Sequence, residues 1–126
     1  MKKVLLLFIM LSSVLVLCAD VRLQKHGSAT QLIVNGKPML ILGGELSNSA
    51  VTSVADIDSA LPHMYALGLN TVFIPVYWDL MEPEEGEFVF SLVDESIKVA
   101  RENHLKLILL WFGVWKNSMS CCAPLW

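Results

Sequence analysis

In NTVFIPVYWDLMEPEEGEF, residues 70–88, an apolar segment runs into an acidic, aromatic one. The run Val72–Trp78 is apolar apart from one tyrosine hydroxyl, and apolar and polar residues do not alternate in it. Such a run is typical of a strand that is buried on both faces, as in a parallel sheet. The sequence therefore predicts a central strand whose far end meets solvent.

A helix is predicted on each side of this strand. The first begins near Ser53, a residue type that caps helices, and ends at Gly68, and Pro62 is expected to kink it or to begin a second helix. The second opens at Ser91 with a capping-box-like pair to Asp94, and its inner stripe consists of Val93, Ile97 and Ala100. The segment KLILLWFGVW, residues 106–115, is then a third apolar strand.

The region before the first helix is predicted to be β structure, from Val21 to Leu42. The pair Asn35-Gly36 lies between two apolar runs and predicts a β-hairpin, because both residues accept the positive φ angles of a tight turn. We expect residues 20–38 to form this hairpin and Met39–Leu42 to form the first strand of the main sheet. The segment GGELSNS would then follow the end of that strand.

The resulting order is β-α-β-α-β with continuous apolar strands, which predicts an α/β protein. Parallel strands need crossover connections, and these are right-handed in nearly all proteins. Periodicity does not choose between an open doubly wound sheet and a closed barrel. No Gly-x-Gly-x-x-Gly segment follows a strand and no Walker-type loop occurs, so the pattern does not favour nucleotide binding.

The first 19 residues are predicted to be a signal peptide, so that the protein is exported to the periplasm or the exterior. Two lysines precede an apolar run of 14 residues, Val4–Leu17. A bilayer span needs ~20 residues, whereas signal peptides have a run of this shorter length. No transmembrane span is therefore expected. Cleavage after Ala19 is the main interpretation, and lipid attachment at Cys18 is the alternative.

Composition excludes several classes of function. Residues 1–19 hold two of the nine basic residues and none of the twelve acidic ones, so the remaining 107 residues carry a net charge of −5. No basic patch predicts nucleic acid as a partner. Cys121 and Cys122 are adjacent, which implies no disulfide framework, and no His or Cys pairs stand at zinc-ligand spacing. We expect neither a metal nor a cofactor.

Polar and aromatic side chains follow each of the three predicted strands. Ligands bind beyond the carboxyl ends of the strands in both candidate architectures. Carboxylates and amides there can bond sugar hydroxyls, and aromatic rings can pack on the C–H face of a sugar. The candidates for contact with a carbohydrate are therefore Glu45, Trp78, Glu82, Trp115 and Asn117. Residues at these strand ends can also have structural roles. Trp78 and Trp111 can belong to the packed core, and the glutamates at 84, 85 and 87 can form a solvated face.

Three segments resemble the N-terminal part of the catalytic domain of β-galactosidases in glycoside hydrolase family 35, with similarity to family 42. They are NGKPMLILGGEL, LGLNTVFIPVYWDLMEPEEGEFVF and LVDESIKVARENHLKLILL. The resemblance implies a TIM (β/α)₈ barrel, of which about three βα units would lie in residues 39–126. It places Trp78 on the family's Trp, Glu82 on the Glu of its Glu-Pro pair, and Glu45 beside the galactose pocket.

The chain departs from the family at two places. Pro75 stands where many members have a sugar-contacting Tyr, and FGVWKNSMSCCAP stands where the third strand of many members ends in Ala-Glu. Members of this clan are retaining enzymes that use two carboxylates ~5–5.5 Å apart, which the family carries after its fourth and seventh strands. No residue here matches either, so we expect a fragment that is inactive alone. Two alternatives remain: a non-catalytic carbohydrate-binding or interaction module, and a clan relative that acts on another β-glycoside.

Overall fold

The structure is a computed structural model that describes residues 20–115 and 121–126. The chain divides into two compact units, one up to Leu40 and one from Ile41 onward. Residues 1–19, which include the predicted signal peptide and Cys18, lie outside the described residues. Within the described ranges, no helix has both the length and the apolar character that crossing a membrane requires.

The first unit is an antiparallel sheet of three strands, with β1 at Val21–His26, β2 at Ala29–Val34 and β3 at Lys37–Pro38. The turn between β2 and β3 confirms the Asn35-Gly36 prediction, since the two residues have φ of 51° and 76°. The sequence predicted one hairpin, and β1 adds a second one that pairs with β2 along its whole length.

The second unit contains a parallel sheet in the order β4-β5-β6, with β4 at Gly43–Glu45, β5 at Thr71–Tyr77 and β6 at Lys106–Phe112. The mixed α/β class is confirmed. The predicted first strand, Met39–Leu42, is wrong: the strand begins four residues later, at Gly43, in the Gly-Gly-Glu segment. The reason is the register with β5, because Gly43 pairs with Thr71, the first residue of β5, so the ladder between the two strands begins only at Gly43. The strand also packs closely there: a Cβ built on Gly44 would lie 2.7 Å from a methyl carbon of Leu69.

The central strand β5 is buried along nearly its whole length, as predicted. Pro75 is tolerated inside it for a geometric reason. The carbonyl of Phe73 accepts from the backbone N–H of Leu46, so Phe73 and, two residues later, Pro75 turn their backbone groups toward β4. Because β4 ends at Glu45, the N–H that proline lacks has no ladder partner to lose there.

Helix α1, Val54–Ala66, follows the sequence closely. The Ser53 Oγ accepts from the backbone N–H of Asp56, which confirms the predicted cap. Pro62 lies within one continuous helix rather than beginning a second one. Gly68, with φ of 83°, ends the helix in a Schellman motif: its N–H bonds the carbonyl of Tyr65, and the N–H of Leu69 bonds that of Met64.

Two further helices follow β5: the single turn α2, Trp78–Met81, and α3, Ser91–Glu102. The capping-box prediction for Ser91 is wrong, since Ser91 is the first helical residue and no side chain caps the helix. The predicted inner stripe is also displaced. The buried residues of α3 are Ser96, Val99 and Ala100, while Val93 and Ile97 are half-buried.

The two long helices α1 and α3 lie on one face of the parallel sheet, where they contact each other and share a core with β5. We call this the helix face. Its core consists of Leu46, Val51, Ile57, Leu61, Val72, Ile74, Val99, Ala100 and Leu105. Alternation along the strands turns Phe73, Pro75 and Tyr77 to the other side of the sheet, the opposite face.

Candidate functional site

The loop after β5 is organised around Glu82. One of its carboxylate oxygens accepts from the indole Nε1–H of Trp78 at 2.8 Å, and the other accepts from the backbone N–H of Gly86 at 2.9 Å. Its own backbone N–H donates to the carbonyl of Trp78, which closes the single turn of α2. Both oxygens of the side chain are therefore bonded within the loop.

The turn beyond Glu82 is closed by backbone bonds. The N–H of Glu87 donates to the carbonyl of Glu84 at 2.9 Å, and Gly86 has the positive φ of 81° that such a turn needs. The N–H of Val89 then bonds the carbonyl of Met81. The glutamates at 84, 85 and 87 are exposed, as expected for a solvated face.

Trp78 lies in a cluster of three indoles. Its ring centroid is 6.5 Å from that of Trp111 and 6.0 Å from that of Trp126, the second contact being edge-on. Trp111 pairs in register with Val76 and therefore points to the helix face. The cluster thus lies at the rim of the helix face and does not belong to the opposite face.

The space beneath this loop on the helix face is nearly filled. A cavity of about 10 Å³ remains between β5, α2 and α3. A water molecule needs a site of roughly that size, so no sugar enters here. Its lining is mostly apolar and includes Ile74, Leu80, Met81, Val89, Leu92 and Ser96.

Glu45 lies on the other side of the sheet from Trp78 and Glu82. It is the last residue of β4 and pairs with Phe73, four residues before the end of β5, which places it ~13 Å along the strand from the level of Tyr77 at 3.3 Å per residue. The pairing turns its side chain to the opposite face. It is exposed, and no side-chain hydrogen bond or ion pair joins it to another described residue.

Tyr77 and Phe112 are the buried aromatic pair of the opposite face. Their rings meet edge-on with centroids 5.7 Å apart. The Tyr77 hydroxyl donates to the carbonyl of Asn48 at 2.9 Å, which fastens the segment after β4 to the end of β5. Burial is the main reason that the pKa of Tyr77 is raised above its usual value of 10.0, so this hydroxyl stays protonated as a donor.

The chain after β6 returns to the loop after β5. The backbone N–H of Cys122 bonds the carbonyl of Gly113, and the Cys122 carbonyl accepts from the N–H of Asp79 at 2.8 Å. The indole N–H of Trp126 donates to the carbonyl of Glu82 at 3.1 Å. Residues 121–126 are therefore tied to the loop after β5 at two points.

Cys121 and Cys122 are both free. Burial raises the pKa of the Cys122 thiol, with the carboxylate of Asp79 as a smaller cause. In the described part of the chain, no three His, Cys, Asp or Glu side chains come together so that they could hold a metal ion.

The five predicted sugar-contacting residues are thus divided. Trp78 and Glu82 contact each other, Glu45 lies on the opposite face, and Trp115 is 72% exposed. Asn117 lies outside the described residues. Sequence reasoning missed Trp126 and Cys122 as partners of the loop after β5. The spacing of Trp78 and Glu82, four residues apart, was the available signal that they share one helical turn.

Comparison with known proteins shows which protein family the chain resembles. The model of the family described as "Glycosyl hydrolases family 35" matches residues 31–111. A β-galactosidase of Xanthomonas manihotis is 40% identical over 83 residues, which cover 64% of this chain and 14% of that protein. The chain therefore spans about a seventh of the length of that relative.

A solved structure has a similar fold. The exo-β-1,4-mannosidase Op5Man5 from Opitutaceae bacterium strain TAV5 matches with a TM-score of 0.58 at 24% identity, over 72% of this chain and 18% of that one. That match supports the fold alone, whereas the family match covers most of the chain, including β5 and the loop after it. The chain belongs to glycosyl hydrolase family 35.

Proposed function

We propose that this chain is the N-terminal part of an exported β-galactosidase-like hydrolase that cleaves terminal β-galactosides. The family match and the name of the relative at 40% identity support this substrate class. The reaction would be a retaining double displacement by two carboxylates. Because the clan carries them after its fourth and seventh strands, this chain would contribute to substrate binding and not to bond cleavage.

The topology of the second unit supports a (β/α)₈ barrel as the complete architecture. The three strands follow one another in chain order, and both long helices pack on the same face. A doubly wound sheet reverses its strand order and covers both faces with helices. A sheet that adds every strand in one direction can instead curve until it closes, and its opposite face becomes the barrel interior.

The observation that carries the binding role is the position of Glu45. Its exposed carboxylate stands on the face that would line the barrel, and it has no internal bond to a described residue. A carboxylate inside a closed barrel needs a hydrogen-bond partner, and sugar hydroxyls are donors of the right kind. Trp115 and Asn117, which follow β6 in the sequence, are proposed as further contacts.

Binding and turnover test this proposal together. We expect saturation-transfer NMR to detect methyl β-galactoside bound to the full chain, and to detect less binding with methyl β-mannoside. Glu45→Gln should weaken the galactoside signal, while Glu85→Gln, a matched change on an exposed loop, should leave it unchanged. Nitrophenyl β-galactoside should not be hydrolysed by the chain alone. Turnover by the chain, or equal binding by the Glu45 variant, would contradict the proposal.

The alternative is a carbohydrate-binding or interaction module that folds by itself. It is favoured by one observation: every buried side-chain nitrogen and oxygen of the described residues has a partner. Against it stand an open groove of about 290 Å³ between α3 and β6 and the 58% exposed ring of Trp111. Such surfaces promote association. Size-exclusion chromatography decides: we expect concentration-dependent association, and a concentration-independent monomer that unfolds cooperatively would favour the module.

Export is proposed from the basic start and short apolar run of residues 1–19. Intact mass of the protein from a periplasmic or secreted fraction tests it. We expect a mass that begins at Asp20. A mass that retains Met1 would contradict export, and added lipid on Cys18 would identify a lipoprotein.

A further inference from the structure

All four polar atoms of Glu82 have partners within the chain. Its two carboxylate oxygens accept from the Trp78 indole and the Gly86 backbone, its N–H donates to the Trp78 carbonyl, and its carbonyl accepts from the Trp126 indole. The three other glutamates of the loop are exposed. Among the four glutamates of this loop, Glu82 is the one that is bonded at every polar atom.

The bonds to the carboxylate are of the strong kind. Both run from N–H donors to an ionised oxygen at 2.8 and 2.9 Å, and such charge-assisted bonds are shorter and stronger than neutral ones. Residues 76–90 contain no lysine or arginine. Within the loop, the charge of Glu82 is therefore balanced by N–H dipoles that also fix the loop's shape.

The Trp78 ring, which Glu82 holds, contacts two further tryptophan rings at the rim of the helix face. Trp111 packs on one side of it and Trp126 meets it edge-on. Trp126 bonds the Glu82 carbonyl, and Cys122 bonds Asp79 in the same loop. The indole that Glu82 holds is thus also the ring that Trp126 meets edge-on.

We propose that Glu82 is a positioning residue, which fixes the Trp78 ring and through it the return segment 121–126, and that it does not contact the sugar. The consequence of this role for sugar binding rests on the function proposed above, because Cys122 bonds the carbonyl of Gly113, two residues before Trp115. The positioning of Trp78 and of segment 121–126 by Glu82 is itself independent of that function.

Indole N–H signals of the ¹⁵N-tryptophan-labelled full chain test the proposal without any ligand. In Glu82→Gln the side chain keeps one acceptor oxygen and gains a donor that cannot replace the second acceptor. We expect the Trp78 indole N–H to change its chemical shift and to exchange with solvent about tenfold faster or more, as follows from losing a charge-assisted bond. The Trp126 signal should move as well. The matched control Glu85→Gln should leave both signals in place.

A second variant covers the case in which Glu82→Gln does not fold. Trp78→Phe keeps an aromatic ring but removes the donor to Glu82, and it should also shift the Trp126 indole and speed exchange of the Gly86 amide. Unchanged indole signals in Glu82→Gln would overturn the proposal, and lost galactoside binding in that same variant would make Glu82 a sugar ligand. If the parent chain binds no galactoside, the proposed function fails, while the indole result still decides the role of Glu82.

Discussion

Two glutamates near the ends of neighbouring strands, Glu45 on β4 and Glu82 after β5, have opposite surroundings. Glu45 is exposed on the opposite face, without a bond to another described side chain. Glu82 is half-buried at the rim of the helix face and bonds at both carboxylate oxygens. An acidic residue at a strand end can therefore stabilise the loop itself, and its internal hydrogen bonds distinguish this role from ligand binding.

Removing the Glu82 carboxylate should have the largest effect on stability. Glu82→Ala takes away the acceptor of two charge-assisted bonds, and we expect the free energy of unfolding to fall by about 2–3 kcal/mol. Urea unfolding followed by tryptophan fluorescence measures it. Glu84→Ala, in the same loop and exposed, serves as control. Equal losses in the two variants would remove the contrast between Glu82 and the solvated glutamates.

Disturbing the turn that supplies one of these bonds should have the next largest effect. Gly86 has φ of 81° and a Cβ placed there meets nothing within 4 Å, so Gly86→Ala tests backbone conformation alone. A left-handed conformation costs a residue with a Cβ about 1–2 kcal/mol. Gly86→Asn should lose less, because asparagine tolerates this region. Urea midpoints compare the two, and a neutral Gly86→Ala would show that the turn does not depend on the left-handed conformation at residue 86.

Cutting the bond from the return segment should have a smaller effect. Trp126→Phe keeps an aromatic ring and removes only the N–H that donates to the Glu82 carbonyl. We expect a loss of about 0.5–1.5 kcal/mol, the net contribution of one neutral hydrogen bond. Trp115→Phe is the control, because that ring is 72% exposed. If the two variants unfold at the same urea concentration, Trp126 does not tie the segment to the loop.

Changing Glu45 should have the smallest effect on stability. Glu45→Gln alters an exposed side chain away from any ion pair of the described chain, so we expect the free energy of unfolding to stay within about 0.5 kcal/mol of the parent. Thermal or urea unfolding measures this. A loss as large as that of Glu82→Ala would mean that Glu45 is a structural residue, and the contrast between the two strand ends would disappear.

Much of the fold could be predicted from local sequence because local physics decides it. The continuous apolar run of β5, the Asn35-Gly36 turn and the cap at Ser53 each depend on a few neighbouring residues. The position of β4 could not be predicted in this way. Met39–Leu42 is the more apolar segment, but the contact of Gly44 with Leu69 depends on residues 25 positions apart.

The candidate site, too, could be predicted from local sequence only in part. Residue type and strand-end position identified Glu45, Trp78 and Glu82 as candidates for one site, but they did not reveal which faces the side chains occupy. That division depends on the register between β4 and β5, which turns Glu45 to the opposite face, and on that between β5 and β6, which turns Trp111 to the helix face. The bond from Trp126 joins residues 44 positions apart in the chain. No local pattern carries that information.

If Glu45 is available to a sugar while Glu82 is occupied by the chain, the carboxyl resonances of the two residues will respond differently to a sugar. The full chain, labelled with ¹³C-glutamate and assigned through Glu45→Gln and Glu82→Gln, would be titrated with methyl β-galactoside. We expect the Glu45 carboxyl signal to move with sugar concentration and the Glu82 signal to remain fixed. Movement of the Glu82 signal, or a fixed Glu45 signal, would contradict the account.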